Sequence, residues 1–207
     1  MKGILCFGDS ITFGRGEAPS KGWVGRLKEY FGAKDVYNGV YNLGIPGDTS
    51  TGLLQRFDAE AKSRVKVKRE GDKFLILVAI GTNDCKFDSE GSNPRTALEQ
   101  FKENIKELVK KAGSYQAEIA FIGLTPVDES KTWPYEDTWF NNDRVKLFND
   151  SIKEVCKTNG LTFLDLFEKM KKEEYKSLLS DGLHPNPEGY NFMFENVKGF
   201  LERENLI

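Results

Sequence analysis

The chain contains one histidine, and the residues around it favour a chemical role. His184 stands in the segment SDGLHP at residues 180–185, three residues after an aspartate and with a glycine between the two. At this spacing a carboxylate can accept a hydrogen bond from Nδ1–H and hold the imidazole in the tautomer whose Nε2 accepts a proton. Asp181 and His184 are therefore candidates for an orienting acid and a general base. The alternative is an aspartate that caps a turn beside an unrelated histidine.

A serine close to the N-terminus is a candidate nucleophile. Ser10 lies in FGDSIT at residues 7–12, directly after a short apolar run. A serine at this place can sit at a helix N-terminus, where backbone N–H groups face an incoming anion. Three interpretations stay open: Ser10 is a nucleophile, the Ser10/Thr12 loop holds a phosphate, or Asp9 and Ser10 only cap a helix.

Two loops further along the chain contain candidates for oxyanion stabilisation. Asn83, in GTND at residues 81–84, has a side-chain NH₂ group that can donate to an oxyanion. Its alternative role is an Asx turn that closes a strand. Gly44, in NLGIPGD at residues 42–48, could bring its N–H close to a ligand because no Cβ stands in the way. It could equally form a simple turn.

The elements that must position these residues follow from the alternation of apolar runs and amphipathic stretches. The predicted strands are residues 3–7, 36–43, 74–80, 119–124 and 161–166. Apolar residues at helical spacing follow each of them, and the basic stretch 62–69 is interpreted as a solvated helix end. Five strand–helix repeats imply right-handed crossovers and a parallel sheet covered on both faces. We expect one α/β domain over residues 1–207.

The topology also predicts where the candidates meet. Ligands of an open parallel sheet bind outside the carboxyl ends of its strands. Ser10, Gly44 and Asn83 follow the first three predicted strands, so we expect them at one edge of the sheet.

Composition excludes several classes of protein. Lys and Arg number 30 against 32 Asp and Glu, a net charge of −2, so neither a nucleic acid nor an anionic membrane is an expected partner. Three distant cysteines fit neither a disulfide framework nor a CxxC site, and we expect them buried in a protein of a reducing compartment. No apolar run approaches the roughly 20 residues of a membrane span. These features predict a cytoplasmic globular protein.

Taken together, the blocks resemble those of the GDSL or SGNH hydrolase family. GDS at residues 8–10 matches the block that names the family, and NLGIPGD at 42–48 matches its glycine block. GTND at 81–84 matches the asparagine block and DGLHP at 181–185 the Asp-x-x-His block. Order and spacing agree from Gly8 to His184. Ile11 replaces the leucine of the family name, which is a conservative apolar exchange.

The resemblance implies specific roles. Ser10 would be the nucleophile, His184 the base that takes its proton and later protonates the leaving group, and Asp181 the residue that orients His184. The oxyanion hole would consist of the backbone N–H groups of Ser10 and Gly44 together with the side chain of Asn83.

The resemblance also implies a fold, namely a flavodoxin-like three-layer α/β/α sandwich with a five-stranded parallel sheet. No cofactor and no metal are implied. Asp9 and Asp84 would support their loops.

The leading functional hypothesis is a serine hydrolase that cleaves carboxylic ester or thioester bonds through an acyl-enzyme. Its substrate would be a small acyl ester, thioester or acetylated sugar, with short acyl chains favoured because the chain leaves little room for a lid domain. One alternative is a flavodoxin-like module that binds a phosphate or flavin, which leaves Asn83, Asp181 and His184 without a role. The other is a non-catalytic interaction domain, which the complete residue set disfavours.

The loop 126–140 contains Trp133, Tyr135, Trp139 and Phe140. These rings either line the pocket or pack the loop onto the core. The oligomeric state does not follow from the sequence.

Overall fold

The structure, a computed structural model, describes residues 2–66 and 70–207. Within this part of the chain, five parallel strands form one sheet in the order β2-β1-β3-β4-β5. The α/β class and the five-stranded parallel sheet predicted from the sequence are confirmed. The strands are β1 (Lys2–Gly8), β2 (Gly39–Gly44), β3 (Lys73–Ala79), β4 (Glu118–Ile122) and β5 (Thr162–Leu164).

Helices cover both faces of the sheet, because the central strands β1 and β3 are apolar on both sides and must be buried on both. They are α1 (Ser10–Phe13), α2 (Gly22–Gly32), α3 (Ser50–Arg64), α4 (Leu98–Ala112), α5 (Glu129–Thr132), α6 (Asn142–Thr158), α7 (Leu166–Met170) and α8 (Pro187–Arg203), with a 3₁₀ turn at Tyr175–Leu178. The core residues of α3, α4 and α6 pack on one face. Those of α2 and α8 pack on the other, which gives the predicted three layers.

Local sequence signals explain where the helices begin. Thr49 caps α3 by accepting a hydrogen bond from the Gly52 N–H. Pro187 occupies the first turn of α8, where its missing N–H costs nothing, and Asn186 caps that helix.

The ends of the predicted strands differ from those of the structure by one to three residues, and the difference is largest at the start of β2. β2 begins at Gly39 and not at residue 36, because Asp35 folds the preceding residues into a turn: it accepts from the N–H of Tyr37 through its side chain and of Asn38 through its backbone carbonyl. β5 ends at Leu164 because the side chain of Asp165 caps α7. The basic stretch 62–69 begins in the last turn of α3, and its residues 67–69 lie outside the described part of the chain.

The three cysteines are buried free thiols, as the sequence predicted. Among the helices that the structure describes, none is long and apolar enough to cross a bilayer.

Candidate active site

Ser10 stands at the carboxyl end of β1, where the chain turns from strand to helix without a loop. Gly8 makes this turn possible, because a Cβ there would lie 2.1 Å from Thr12 Oγ1 and 2.4 Å from the carbonyl oxygen of Ala79. Asp9 then caps α1 by accepting a hydrogen bond from Ile11 N–H at 2.9 Å. Ser10 is the first residue of that helix, so its own N–H has no acceptor within the helix.

The structure brings Ser10, His184 and Asp181 into one hydrogen-bonded chain, although 174 residues separate the first two. Ser10 Oγ lies 2.9 Å from His184 Nε2, and His184 Nδ1 lies 2.7 Å from Asp181 Oδ2. Both Ser10 and His184 are buried, with 8% and 4% of their surface exposed. A carboxylate at Nδ1 favours the tautomer in which Nε2 accepts the serine proton.

Asp181 is held by four hydrogen-bond donors. Its Oδ1 accepts from the backbone N–H groups of Leu183 at 2.9 Å and His184 at 2.7 Å, and its Oδ2 accepts from the imidazole. Tyr135 Oη donates to the same Oδ2 at 2.9 Å. Burial disfavours the carboxylate, but the hydrogen bonds from His184 and Leu183 outweigh it and hold the pKa of Asp181 below its usual range. Asp181 is therefore an anion that faces the imidazole in a fixed orientation.

Tyr135 is a site residue whose role the sequence did not predict, although its loop stood out for its aromatic content. Burial and the hydrogen bond to Asp181 raise the pKa of Tyr135 to about 12. The phenol therefore stays a donor at neutral pH. Its ring also contacts His184 edge-on, with ring centroids 6.1 Å apart.

Asn83 lies at the same edge, in the loop after β3. Its Nδ2 donates to the carbonyl oxygen of Asp48 at 3.0 Å, and the residue is 8% exposed. The next residue, Asp84, anchors this loop to the start of α3 by accepting from Ser50 N–H at 2.9 Å and Ser50 Oγ at 2.6 Å. Asn104 of α4 donates to the same Ser50 Oγ at 2.8 Å. A buried polar junction thus fixes the loop that presents Asn83.

Gly44 is not placed as the sequence predicted. Its N–H donates to Asn42 Oδ1 at 3.0 Å, and a Cβ at this position would meet the backbone of Phe13 at 2.3 Å. This glycine lets α1 pack against β2. Gly47, three residues later in the same block, lines the cleft beside Ser10 and has a φ of 80°, a conformation that favours glycine. The structure therefore favours Gly47 over Gly44 as a backbone donor toward a bound group.

The cleft over the serine has a volume of about 210 Å³. Of the four aromatic residues in the loop 126–140, Tyr135 and Phe140 line it. Trp133 instead packs edge-on against Phe87, with centroids 5.8 Å apart. The loop thus both contributes to the pocket and packs onto the core. The lining residues are Ser10, Arg15, Gly47, Asn83, Lys86, Tyr135, Glu136, Thr138, Phe140, Leu183 and His184.

Asp9 gives a prediction for stability. It is 2% exposed, and burial raises its pKa to about 7, although the Ile11 N–H and the charge of His184 act in the opposite direction. An unfolded aspartate titrates near 3.9. Between about pH 4 and pH 7 the folded state keeps a proton that the unfolded state releases, so this group lowers stability as the pH rises through that window.

Asp9→Asn retains an acceptor for Ile11 N–H and removes the titration. We expect its Tm advantage over the wild type to grow from pH 4 to pH 7, to exceed about 2 °C there, and to stay constant above. Thermal unfolding at several pH values measures this, with Asp137→Asn on the surface as the control. An advantage that does not change with pH would contradict the assignment.

The comparisons with known proteins agree with the fold. The model of the GDSL-like lipase/acylhydrolase family matches residues 6–192. The GDSL esterase/lipase CPRD49 of Arabidopsis thaliana is 28% identical over 201 residues, which span 90% of this chain and 73% of that protein. The isoamyl acetate-hydrolyzing esterase 1 homolog of Homo sapiens is 28% identical over 218 residues, which span 97% of this chain and 82% of that protein.

Solved structures show the same architecture. The lipase/acylhydrolase from Enterococcus faecalis superposes with a TM-score of 0.77 at 24% identity, over 99% of this chain and 97% of that one. Fold and sequence together define an ester-hydrolysing enzyme. The chain belongs to the GDSL-like lipase/acylhydrolase family. The predicted family and the leading hypothesis of ester hydrolysis are confirmed at this level.

Proposed function

We propose that the enzyme hydrolyses small carboxylic esters or thioesters through an acyl-enzyme on Ser10. The observation that carries this proposal is the chain from Ser10 Oγ to His184 Nε2 at 2.9 Å and from His184 Nδ1 to Asp181 at 2.7 Å. A serine hydroxyl is a weak nucleophile unless a neighbouring base accepts its proton, and this geometry supplies that base.

The reaction proceeds in two halves. Ser10 Oγ attacks the ester carbonyl carbon while His184 Nε2 takes the hydroxyl proton, and the imidazolium then gives that proton to the departing alkoxide or thiolate. A water molecule next attacks the acyl-enzyme with His184 as base, and collapse of the second tetrahedral intermediate releases the carboxylic acid and restores Ser10. Asp181 stabilises the imidazolium in both halves.

The oxyanion of each intermediate would receive hydrogen bonds from the Ser10 N–H, the Gly47 N–H and the Asn83 side chain. Support for Ser10 and Gly47 comes from their positions: both line the cleft, and neither N–H is engaged by another described residue. Asn83 lines the same cleft, and its Nδ2 donates to the Asp48 carbonyl oxygen at 3.0 Å and to Asp9 Oδ2 at 3.5 Å. A bound oxyanion would replace Asp9 as the acceptor of the longer of these two hydrogen bonds.

Asn83→Ala tests this arrangement. Removal of one oxyanion donor typically lowers kcat by about 10²–10³-fold, and we expect a loss of that size with little change in KM. Steady-state kinetics on an activated acetate ester measures it, with Asn191→Ala on the exposed surface of α8 as the matched control. Rates within about threefold of the wild type would remove Asn83 from the proposal.

The cleft favours short acyl chains. At about 210 Å³ it is smaller than the ligand pockets of roughly 300–1,000 Å³ that enclose drug-sized molecules. Two relatives are named as isoamyl acetate-hydrolyzing esterases, and a substrate with an acetyl group agrees with a cleft of this size.

Initial rates on p-nitrophenyl acetate, butyrate and octanoate test the function and the chain length together. We expect kcat/KM to fall from acetate or butyrate to octanoate, and hydrolysis to disappear in Ser10→Ala. Ser63→Ala, an exposed serine on α3, is the control. Hydrolysis that persists in Ser10→Ala contradicts the nucleophile, whereas faster turnover of octanoate contradicts the short-chain pocket alone.

A further inference from the structure

Two cationic side chains line the same cleft as Ser10 and His184. Arg15 lies just beyond the C-terminus of α1, and Lys86 lies three residues after Asn83. In residues 2–66 and 70–207, no carboxylate forms an ion pair with either of them. Lys86 is half-buried, so its charge is partly removed from water without a partner in contact.

Two other cations near this edge, Arg56 and Arg95, are neutralised by close carboxylates. Arg56 is paired with Asp48 at 2.8 Å, and Arg95, one of the charged residues that act on Lys86, is paired with Asp88 at 2.6 Å. Arg15 and Lys86 differ from Arg56 and Arg95 because no carboxylate of the described residues pairs with them, and both line the cleft beside Ser10.

The remaining charges of the cleft do not cancel the two cations. Asp181 is committed to His184 and Tyr135 through its four hydrogen bonds. The charges of Asp88, which is paired with Arg95, and of Glu136, which lines the cleft, act on Lys86 without a direct contact. Burial, together with the charge of Arg95, lowers the pKa of Lys86 because both disfavour the charged ammonium. An anionic group of a substrate beside this ammonium would stabilise its charge.

From this arrangement we propose that Arg15 and Lys86 form a subsite for an anionic group, so that the preferred ester carries a carboxylate, phosphate or sulfate on its acyl or its alcohol side. This inference rests on the proposed function and narrows its substrate class. Unpaired cations in a cleft attract anions both at encounter and in the bound complex, and a guanidinium can bind a carboxylate or phosphate through two hydrogen bonds. The overall charge of −2 does not predict such a preference, so the preference is local to the cleft.

Because Glu136 has the opposite charge, its substitution should change the preference for anionic esters in the opposite direction to substitution of Arg15 or Lys86. If the subsite binds an anion, Arg15→Gln and Lys86→Gln must weaken the preference for anionic esters, and Glu136→Gln must strengthen it. A role of these residues in packing alone would change the rates for charged and neutral esters alike.

The experiment compares kcat/KM for two matched pairs of substrates, after subtraction of the spontaneous rate. On the alcohol side, 4-acetoxybenzoate is compared with its neutral methyl ester. On the acyl side, mono-p-nitrophenyl glutarate is compared with p-nitrophenyl valerate. For each pair, the anionic-to-neutral ratio of a variant is divided by that of the wild type, which cancels the intrinsic reactivity of the esters.

We expect the ratio of at least one pair to fall about fivefold in Arg15→Gln and in Lys86→Gln, and to rise in Glu136→Gln. The pair that responds shows which side of the ester carries the anion. The wild-type ratio should also fall with added salt. Lys110→Gln, an exposed lysine paired with Glu107 near the C-terminus of α4, is the control and should change neither ratio.

The inference would be overturned if the anionic-to-neutral ratios of all three cleft variants stay within about twofold of the wild-type ratio. It would also be overturned if these ratios change in the same direction in all three variants. If these ratios stay constant while Ser10→Ala abolishes hydrolysis, the anionic subsite is wrong and the proposed function stands. If hydrolysis survives in Ser10→Ala, both are overturned.

Discussion

Replacing His184 by alanine is expected to lower kcat for ester hydrolysis by about 10⁴-fold or more, while the fold persists. His184 is the only histidine of the chain, so no second imidazole can take its place. Its Nε2, the proposed base, lies 2.9 Å from Ser10 Oγ. Without it the hydroxyl proton has no acceptor of suitable basicity, and the acyl-enzyme has no base to activate water.

Single-turnover and steady-state kinetics on p-nitrophenyl acetate measure this loss, and circular dichroism with thermal unfolding reports on the fold. Because His184 is buried, a drop in Tm of a few degrees is compatible with the proposal. Added imidazole should restore part of the rate by entering the space that the side chain vacates. Turnover within tenfold of the wild type in a folded variant would refute the assignment of His184 as the base.

Asp181→Asn is the second large effect, an expected loss of about 10⁴-fold in kcat. The amide oxygen would take the place of Oδ1, which accepts the N–H groups of Leu183 and His184. The amide NH₂ would then face Nδ1 and favour the tautomer that carries its proton on Nε2. Ser10 Oγ would lose its proton acceptor although every side chain kept its position.

Tyr135→Phe is the matched variant, because it removes one hydrogen bond from the same carboxylate and leaves the tautomer unchanged. We expect kcat to fall by less than about tenfold, because the Asp181 carboxylate loses one hydrogen bond and keeps the other three. Kinetics for both variants on one substrate, with Asp137→Asn as a surface control, separates the two roles. A larger loss in Tyr135→Phe than in Asp181→Asn would show that the proposed order of roles is wrong.

The sequence predicted most of the fold because burial on both faces leaves a visible pattern. Continuous apolar runs such as residues 74–80 mark the central strands, and their alternation with amphipathic helices defines the parallel order. At the rim of the sheet the pattern is weaker. Val36 and Tyr37 have the composition of a strand, yet they are 88% and 68% exposed in a turn formed by Asp35.

Site residues could be predicted from the sequence where the chemistry needs a particular side chain. They could not be predicted where the role belongs to a backbone N–H, because the folded geometry decides which N–H faces the cleft. Ser10, Asn83 and His184 follow strands or motifs and meet in the cleft as expected. Gly44 and Gly47 lie in one block, and their different roles depend on which N–H is already occupied and which backbone faces the cleft.

Tyr135 and Asp181 are 46 residues apart, and nothing in local spacing relates the two. That no carboxylate in residues 2–66 and 70–207 pairs with Arg15 or Lys86 is likewise a property of the fold, because the sequence alone would allow any nearby acidic residue as their partner.

The junction of Asp84, Ser50 and Asn104 has a consequence for how this enzyme can diversify. It ties the loop of Asn83, the proposed oxyanion donor, to α3 and α4 through buried hydrogen bonds. Arg15 and Glu136, which are proposed to act on the choice of substrate, are exposed at the mouth of the cleft. We therefore expect that mutations at the mouth of the cleft can change the substrate preference while the buried network keeps Asn83 in place.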